Sequence, residues 1–199
     1  MIIVLSGYMA SGKSSTGRVL SQRLGCPFID LDAAIEEREG RRIKEIFAAD
    51  GEERFRELEA EALAEILAGA ARPETAAPAT PAPADLVLAL GGGTLMKPAA
   101  RAVLEAARAA GATAPEASPA PAPRLSVVYL RTAPATIRRR LAGAGDDRPM
   151  LHTHDLETLL LQRIPTYEAT ADTIIDTDGL TPEAIAEKIS IFAYNNRTT

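Results

Sequence analysis

An octet near the start of the chain, Gly7-Tyr8-Met9-Ala10-Ser11-Gly12-Lys13-Ser14, has the residues and spacing to hold a triphosphate. It fits the pattern GxxxxGK[S/T]. Glycines there let the backbone curl until several N–H groups point inward at phosphate oxygens, and the following helix adds partial positive charge at its N-terminus. The binding segment is Ala10, Ser11, Gly12, Lys13, Ser14 and Ser15, with Lys13 reaching the β- and γ-phosphates. The Ser14 hydroxyl would sit on Mg²⁺, which takes oxygen ligands and is usually shared with substrate phosphates. The setting argues against a chance glycine-rich turn. Residues 1–6 are a short apolar run of the kind that forms a buried parallel strand. Over 13–24, Val19, Leu20 and Leu24 recur at helical spacing, and Gly25 follows where a C-cap needs positive φ.

Further acids, cations and glycines fall at comparable places. Asp30 and Asp32 end the next apolar run, 27–32, and ligands in open α/β sheets lie at the carboxyl ends of strands, so both acids should face the phosphates. Asp32 is also placed to cap a helix starting at Ala33. Arg56 and Glu59, three apart, share a helix face; as an exposed ion pair they would be worth little. Gly91-Gly92-Gly93-Thr94 ends another strand and is a second place where backbone can approach a ligand closely.

The elements that must position these residues follow from periodicity and punctuation. Helices are predicted over 33–38, 42–49 and 52–68 with Gly40 and Gly51 as breaks, and again over 98–110. Strands are predicted at 86–90, 126–130 and 173–176. Thr132 is placed as N-cap and Pro134 in the first turn of a helix through Leu141. A long helix over 155–170 holds Arg163 and Tyr167 four apart, with Pro165 expected to kink it. The last helix opens at Thr181-Pro182-Glu183, and 194–199 reads as a frayed tail. Ala/Pro-rich stretches at about 70–84 and 112–123 lack the apolar side chains of a core and would join helix ends to the amino ends of strands, away from the phosphate site. The segment 142–154, with Gly143, Gly145, Asp146, Asp147 and Arg148, reads as a short mobile lid; His152 and His154 beyond it have no third ligand nearby and read as exposed. Five strands interleaved with helices predict a single domain over 1–199, an α/β three-layer sandwich with a five-stranded parallel sheet.

Composition narrows the function classes. The chain carries 22 Lys and Arg against 27 Asp and Glu, net charge −5, without a large basic block, which argues against nucleic acid. The cluster Arg138-Arg139-Arg140 reads as a solvated helix face with one nucleotide contact. The single cysteine, Cys26, forms no disulfide within the chain or cysteine metal site and reads as a small buried residue. The first residues enter a strand directly and no apolar run approaches spanning length, so the expectation is a cytoplasmic protein with no membrane partner.

Taken together, the loop 7–14, Asp30-x-Asp32 followed by Ile35-Glu36, Ile46-Phe47 through Gly51-Glu52 with Phe55-Arg56 and Glu59, the triple glycine, Arg148-Pro149, and Arg163 with Tyr167 resemble the shikimate kinase family. The resemblance spans nearly the whole chain outside the two Ala/Pro-rich stretches. It implies a P-loop NTPase type of fold, nucleoside monophosphate kinase-like, and a monomer. It further implies transfer of the γ-phosphoryl of ATP to the 3-hydroxyl of shikimate in aromatic amino acid biosynthesis, with Mg²⁺. On it, Lys13, Asp32 and Arg148 are catalytic, Arg148 swinging in with the lid. Arg56 and Arg163 grip the substrate carboxylate, a task that suits guanidinium geometry. Asp32 holds the ring hydroxyls, Gly91, Gly92 and Gly93 line the substrate site with the amides of Gly92 and Gly93 as donors, Glu59 orients Arg56, and Phe47 and Phe55 wall the pocket. Asp30 acts on the metal through water. Arg140 is similar to a residue stacked on adenine, with Arg138 and Arg139 as competing candidates. Thr94 and Met150 depart from the family's commoner small apolar residue and leucine; Thr94 would tune the pocket and Met150 would keep lid closure. Gluconate kinase-like or nucleotide kinase chemistry is the enzymatic alternative. A catalytically silent nucleotide-binding module is another, and it would predict losses among Lys13, Asp32, Arg56, Arg148 or Arg163, all of which are present.

Overall fold

A computed structural model describes residues 1–70, 85–113, 124–142 and 156–197. Nearly all of the segment expected to act as a lid, with Arg148, Met150, His152 and His154, and nearly all of both Ala/Pro-rich stretches lie outside them. Among the described residues, five strands form one parallel sheet in the order β2-β3-β1-β4-β5: β1 Ile2–Ser6, β2 Phe28–Asp30, β3 Leu86–Ala89, β4 Leu125–Arg131 and β5 Thr173–Asp176. The helices are α1 Lys13–Leu24, α2 Leu31–Glu39, α3 Ile43–Ala70, α4 Pro98–Thr113, α5 Pro134–Ala142, α6 Leu156–Thr170 and α7 Pro182–Arg197.

Strand pleat explains the three layers. Side chains alternate along a strand, and each apolar strand buries both faces. Ile2 and Val4 of β1, with Leu86, Leu88, Val127 and Tyr129, pack against Leu31 and Ile35 of α2, Leu58 and Leu63 of α3, Leu104 of α4 and Leu160 of α6. Ile3 and Leu5, with Val87, Val128 and Leu130, pack against Leu20 of α1 and Ile185, Ala186 and Ile189 of α7. Cys26 is half-buried beside this second core. No helix among the described residues is long and apolar enough to cross a membrane.

Several elements differ from the sequence reading for local reasons. Strand β2 stops at Asp30, because Leu31 already turns inward as the first residue of α2. The N-cap of α2 is therefore Asp30 and not Asp32: its Oδ1 accepts from the amides of Asp32 at 3.2 Å and Ala33 at 3.5 Å. The Thr132 hydroxyl meets Thr177 Oγ1 at 2.6 Å and does not cap α5; Asp178 serves there, accepting from the Ala133 amide at 2.8 Å. The segment from Tyr194 is helical through Arg197, tied by Arg124 Nη1 donating to Asn196 O at 3.2 Å. Helix α7 leaves Ile191 and Tyr194 exposed.

Within α3 only Gly51 leaves helical geometry, at φ 82° and ψ 173°, so the two helices predicted on either side of it stack end to end. Helix α3 ends at Ala70 and α4 at Thr113, and both lead to the amino ends of strands, the sheet edge opposite Ser6, Asp30 and Ala89. Deleting residues 72–82 leaves four residues between α3 and β3, within the usual span of such connections. If the functional site lies where the sequence places it, at the carboxyl ends of the strands, the shortened protein is expected to keep any phosphotransfer activity within about twofold of wild type in a steady-state assay.

Candidate active site

At the carboxyl ends of β1, β2 and β3, three backbone segments meet. Central β1 has β3 on one side and β4 on the other, the point where the strand order reverses and where such sheets leave a crevice. The loop after β1 carries left-handed backbone at Gly12, φ 99°, and at Ala10, φ 60°, which turns successive amides the same way. Lys13 leads α1, is buried, and donates from Nζ to Gly7 O at 2.8 Å and Tyr8 O at 2.9 Å, so the ammonium is held over its own loop. Arg140 of α5 donates from Nη1 to Ala10 O at 2.9 Å. Of the three consecutive arginines it is the one at the phosphate loop, for Arg138 turns to Glu157 and Arg139 to Thr136. Ser15 stands exposed one residue beyond Ser14.

The donors suit a triphosphate and a hard cation. Ser11 Oγ and Thr16 Oγ1 are buried without a hydrogen-bond partner among the described residues, an arrangement that a bound anion would satisfy. Ser14 Oγ donates to Asp30 Oδ2 at 2.5 Å, which sets two oxygen ligands side by side. Among the described residues no group of three His, Cys, Asp or Glu could hold a metal ion.

From this loop a cavity of about 330 Å³ runs past Asp32 to Arg56 and Arg163. Phe47 and Phe55 wall it, their ring centroids 4.8 Å apart. Gly91, Gly92 and Gly93 form its floor; a side chain at Gly91 or Gly93 would press into the charged groups beside it, and one at Gly92 would crowd the backbone of Met9. A Cβ on Gly91 would lie 2.6 Å from Asp32 Oδ1 and 2.7 Å from Glu59 Oε1, one on Gly92 3.0 Å from Met9 N, and one on Gly93 2.6 Å from Arg56 Nη2. The Arg56–Glu59 pair is therefore not the exposed pair of little worth. It is buried, with Arg56 Nη1 donating to Glu59 Oε2, while Arg56 Nε and Nη2 reach the half-exposed Glu52 at 3.2 and 3.1 Å. Burial works against the Arg56 charge, but Glu59 and Glu52 outweigh it and raise its pKa. Arg163 of α6 donates from Nη1 to Gly92 O at 3.1 Å and stacks over the Tyr8 ring; the Tyr167 hydroxyl donates to the same carbonyl.

Asp32 sits between the two halves. Burial first, then the charges of Glu59 and Asp30, push its carboxyl up to about 6, while Lys13 on the phosphate side and Arg56 on the far side pull it down. A carboxylate so placed can hold a hydroxyl and take its proton near neutral pH. The structure thus gathers Lys13, Ser14, Asp30, Asp32, Phe47, Phe55, Arg56, Glu59, the glycines and Arg163 around one cavity. Met9, Arg42, Ile43 and Lys44 line it as well and were not singled out from the sequence. The run Arg41-Arg42-Ile43-Lys44, just after Gly40, was the signal for the last three.

The family model described as shikimate kinase matches residues 9–193. A shikimate kinase of Moorella thermoacetica is 38% identical over 190 residues, covering 94% of this chain and 91% of its own length. One from Francisella tularensis subsp. novicida is 36% identical over 196 residues, covering 96% and 93%. Among solved structures, shikimate kinase from Acinetobacter baumannii in complex with shikimate has a TM-score of 0.76 at 29% identity, covering 100% of this chain and 95% of that one.

The raised Asp32 pKa makes a signed prediction. Its folded value, about 6, lies above the ordinary 3.8, so the protonated form favours folding; that contribution is complete below pH 3.8 and is lost as pH rises through about 6. Asp32→Asn is therefore expected to melt higher than wild type at pH 7.5, with the difference shrinking by pH 5. The acid limb of turnover in the wild type should fall with a midpoint near 6, read from kcat/KM against pH.

Proposed function

The chain belongs to the shikimate kinase family and is an ATP-dependent kinase acting on shikimate, and on that premise we propose how its cavity carries out the transfer. ATP lies on the loop 7–15 with its γ-phosphoryl at Lys13, and Arg140 lies against the nucleotide. Shikimate lies between Phe47 and Phe55, its carboxylate gripped by Arg56 and Arg163 and its hydroxyls at Asp32 and the amides of Gly92 and Gly93. The observation that carries this reading is the position of Asp32, close enough to feel Lys13 on one side and Arg56 on the other.

Phosphoryl transfer asks mainly for positioning and charge neutralisation. The 3-hydroxyl oxygen bonds to the γ-phosphorus as the bond from phosphorus to the β,γ-bridging oxygen breaks. ADP departs with that electron pair, and the hydroxyl proton passes to the Asp32 carboxylate. Lys13 neutralises the phosphoryl oxygens, and Arg148 adds a second cation from the lid. Mg²⁺ supplies further neutralisation when bound; Ser14 would hold it directly and Asp30 through water. Glu52, exposed, holds Arg56 only weakly and can yield to the substrate carboxylate, whereas Glu59, buried, keeps the guanidinium in place. The chain would work as a cytoplasmic monomer and a single catalytic unit, with neither nucleic acid nor membrane as partner.

The reading is tested by ADP release with ATP and Mg²⁺ against shikimate, gluconate, AMP and no acceptor. Turnover confined to shikimate is expected; turnover with gluconate, or with no acceptor, would displace the acceptor assignment and leave the nucleotide loop. Arg56→Ala is expected to lose roughly 2 to 5 kcal/mol in shikimate recognition, read from kcat/KM, because one member of a buried charge pair is removed. Lys13→Ala should lower kcat at least about a hundredfold with the circular dichroism spectrum unchanged.

A further inference from the structure

Thr94 has no part in the chemistry described so far, yet its hydroxyl is tied into the charges beneath Arg56. It opens the 3₁₀ turn Thr94–Met96 directly after the triple glycine and is 1% exposed. Its Oγ1 donates to Glu59 Oε1 at 2.6 Å. Glu59, also buried, turns its other oxygen to Arg56 Nη1. Each carboxylate oxygen thus has one partner, and the two partners fix the rotation of the group. A threonine in a helical turn usually bonds a backbone carbonyl three or four residues back. Here the hydroxyl reaches a carboxylate 35 residues away, an acceptor whose charge strengthens the bond.

We propose that Thr94 is a positioning residue of the shikimate site: it locks the Glu59 carboxylate so that Oε2 meets Arg56 and the guanidinium is held facing the cavity. The inference rests on the reading of Arg56 as the carboxylate grip. Its physical ground is the crowding at Gly91, where a Cβ would lie 2.6 Å from Asp32 Oδ1, 2.7 Å from Glu59 Oε1 and 2.9 Å from Thr94 Oγ1. Without the hydroxyl, Glu59 Oε1 is a buried acceptor beside a second carboxylate and with no donor. The group then rotates to escape both penalties, and Arg56 turns with it.

The test is steady-state kinetics on Thr94→Val, which keeps the volume and removes the donor, and on Thr94→Ser, which keeps the hydroxyl. Thr94→Val is expected to raise the shikimate KM about tenfold with kcat and the ATP KM within about twofold. Thr94→Ser is expected to restore the shikimate KM, and Thr94→Val placed in Arg56→Ala should add no further loss. Equal movement of both KM values without rescue by serine would reduce Thr94 to packing. A wild-type shikimate KM in Thr94→Val, or losses that simply add to those of Arg56→Ala, would likewise overturn the proposal. An unchanged shikimate KM in Arg56→Ala itself would instead remove the grip on which the proposal stands, an outcome read from that variant alone. Should Thr94→Val fail to fold, Thr94→Ala is read by the same criteria.

Discussion

Two carboxylates, the half-buried Asp32 and the buried Glu59, converge on one glycine beside the cavity, and most of the site can be derived from that arrangement. Like charges so close raise each other's cost, and burial adds to it. Asp32 takes up the tension as a raised pKa, with burial the largest cause and Glu59 next. Glu59 is steadied by Arg56 and Thr94, one on each oxygen. Cations on either side of Asp32 keep it from rising further, and these are Lys13 and Arg56, the side chains that a phosphoryl group and a substrate carboxylate would meet. On the proposed placement of the two anionic substrates, the groups that compensate Asp32 are also the ones that would bind them.

Backbone without side chains makes this density possible. Gly91 admits three oxygens, Gly93 admits the Arg56 guanidinium, and Gly92 lets the loop after β3 lie against the amide of Met9. The sheet order supplies the adjacency. Because β3 returns to pair with β1, the glycine loop and the phosphate loop leave neighbouring strands at the same edge, and Leu90 N still donates to Leu5 O at 3.0 Å as they part. Alanine at position 91 would have to displace two carboxylates at once.

The sequence made the phosphate loop, the five strands, the alternating core and most cavity residues legible, because each rests on local rules: an octet with glycines, apolar runs, helical spacing. It could not show that Arg56 and Glu59 are buried, since an i, i+3 pair looks the same on a solvated face as on one covered by the loop after β3. Which of the arginines 138–140 meets the phosphate loop was open for a similar reason, as consecutive residues on α5 point a hundred degrees apart and only the placement of Ala10 selects Arg140. The caps were misjudged where tertiary partners intervened. Asp30 caps α2 because Leu31 must turn into the core, and the Thr132 hydroxyl pairs with that of Thr177 on the neighbouring connection. Thr94 stood out only as a departure from a pattern; its partner lies 35 residues away, beyond any periodicity.

The two ends of the cavity are also joined by direct contacts. Tyr8 belongs to the phosphate loop: its carbonyl accepts from Lys13, and its ring carries the Arg163 guanidinium at 5.3 Å. Arg163 and Tyr167, one helical turn apart on α6, both end on the carbonyl of Gly92, whose α-carbon rests against Met9 of the same loop. The Tyr167 ring stacks on Tyr129 of β4, which anchors α6 to the central sheet. Arg163, proposed above to grip the acceptor, is thus held by the Gly92 carbonyl and by the ring of a phosphate-loop residue. Tyr8 thus touches Arg163 through its ring and adjoins Gly92 through Met9, so the loop proposed to hold the phosphate donor and the arginine proposed to hold the acceptor belong to one continuous packing.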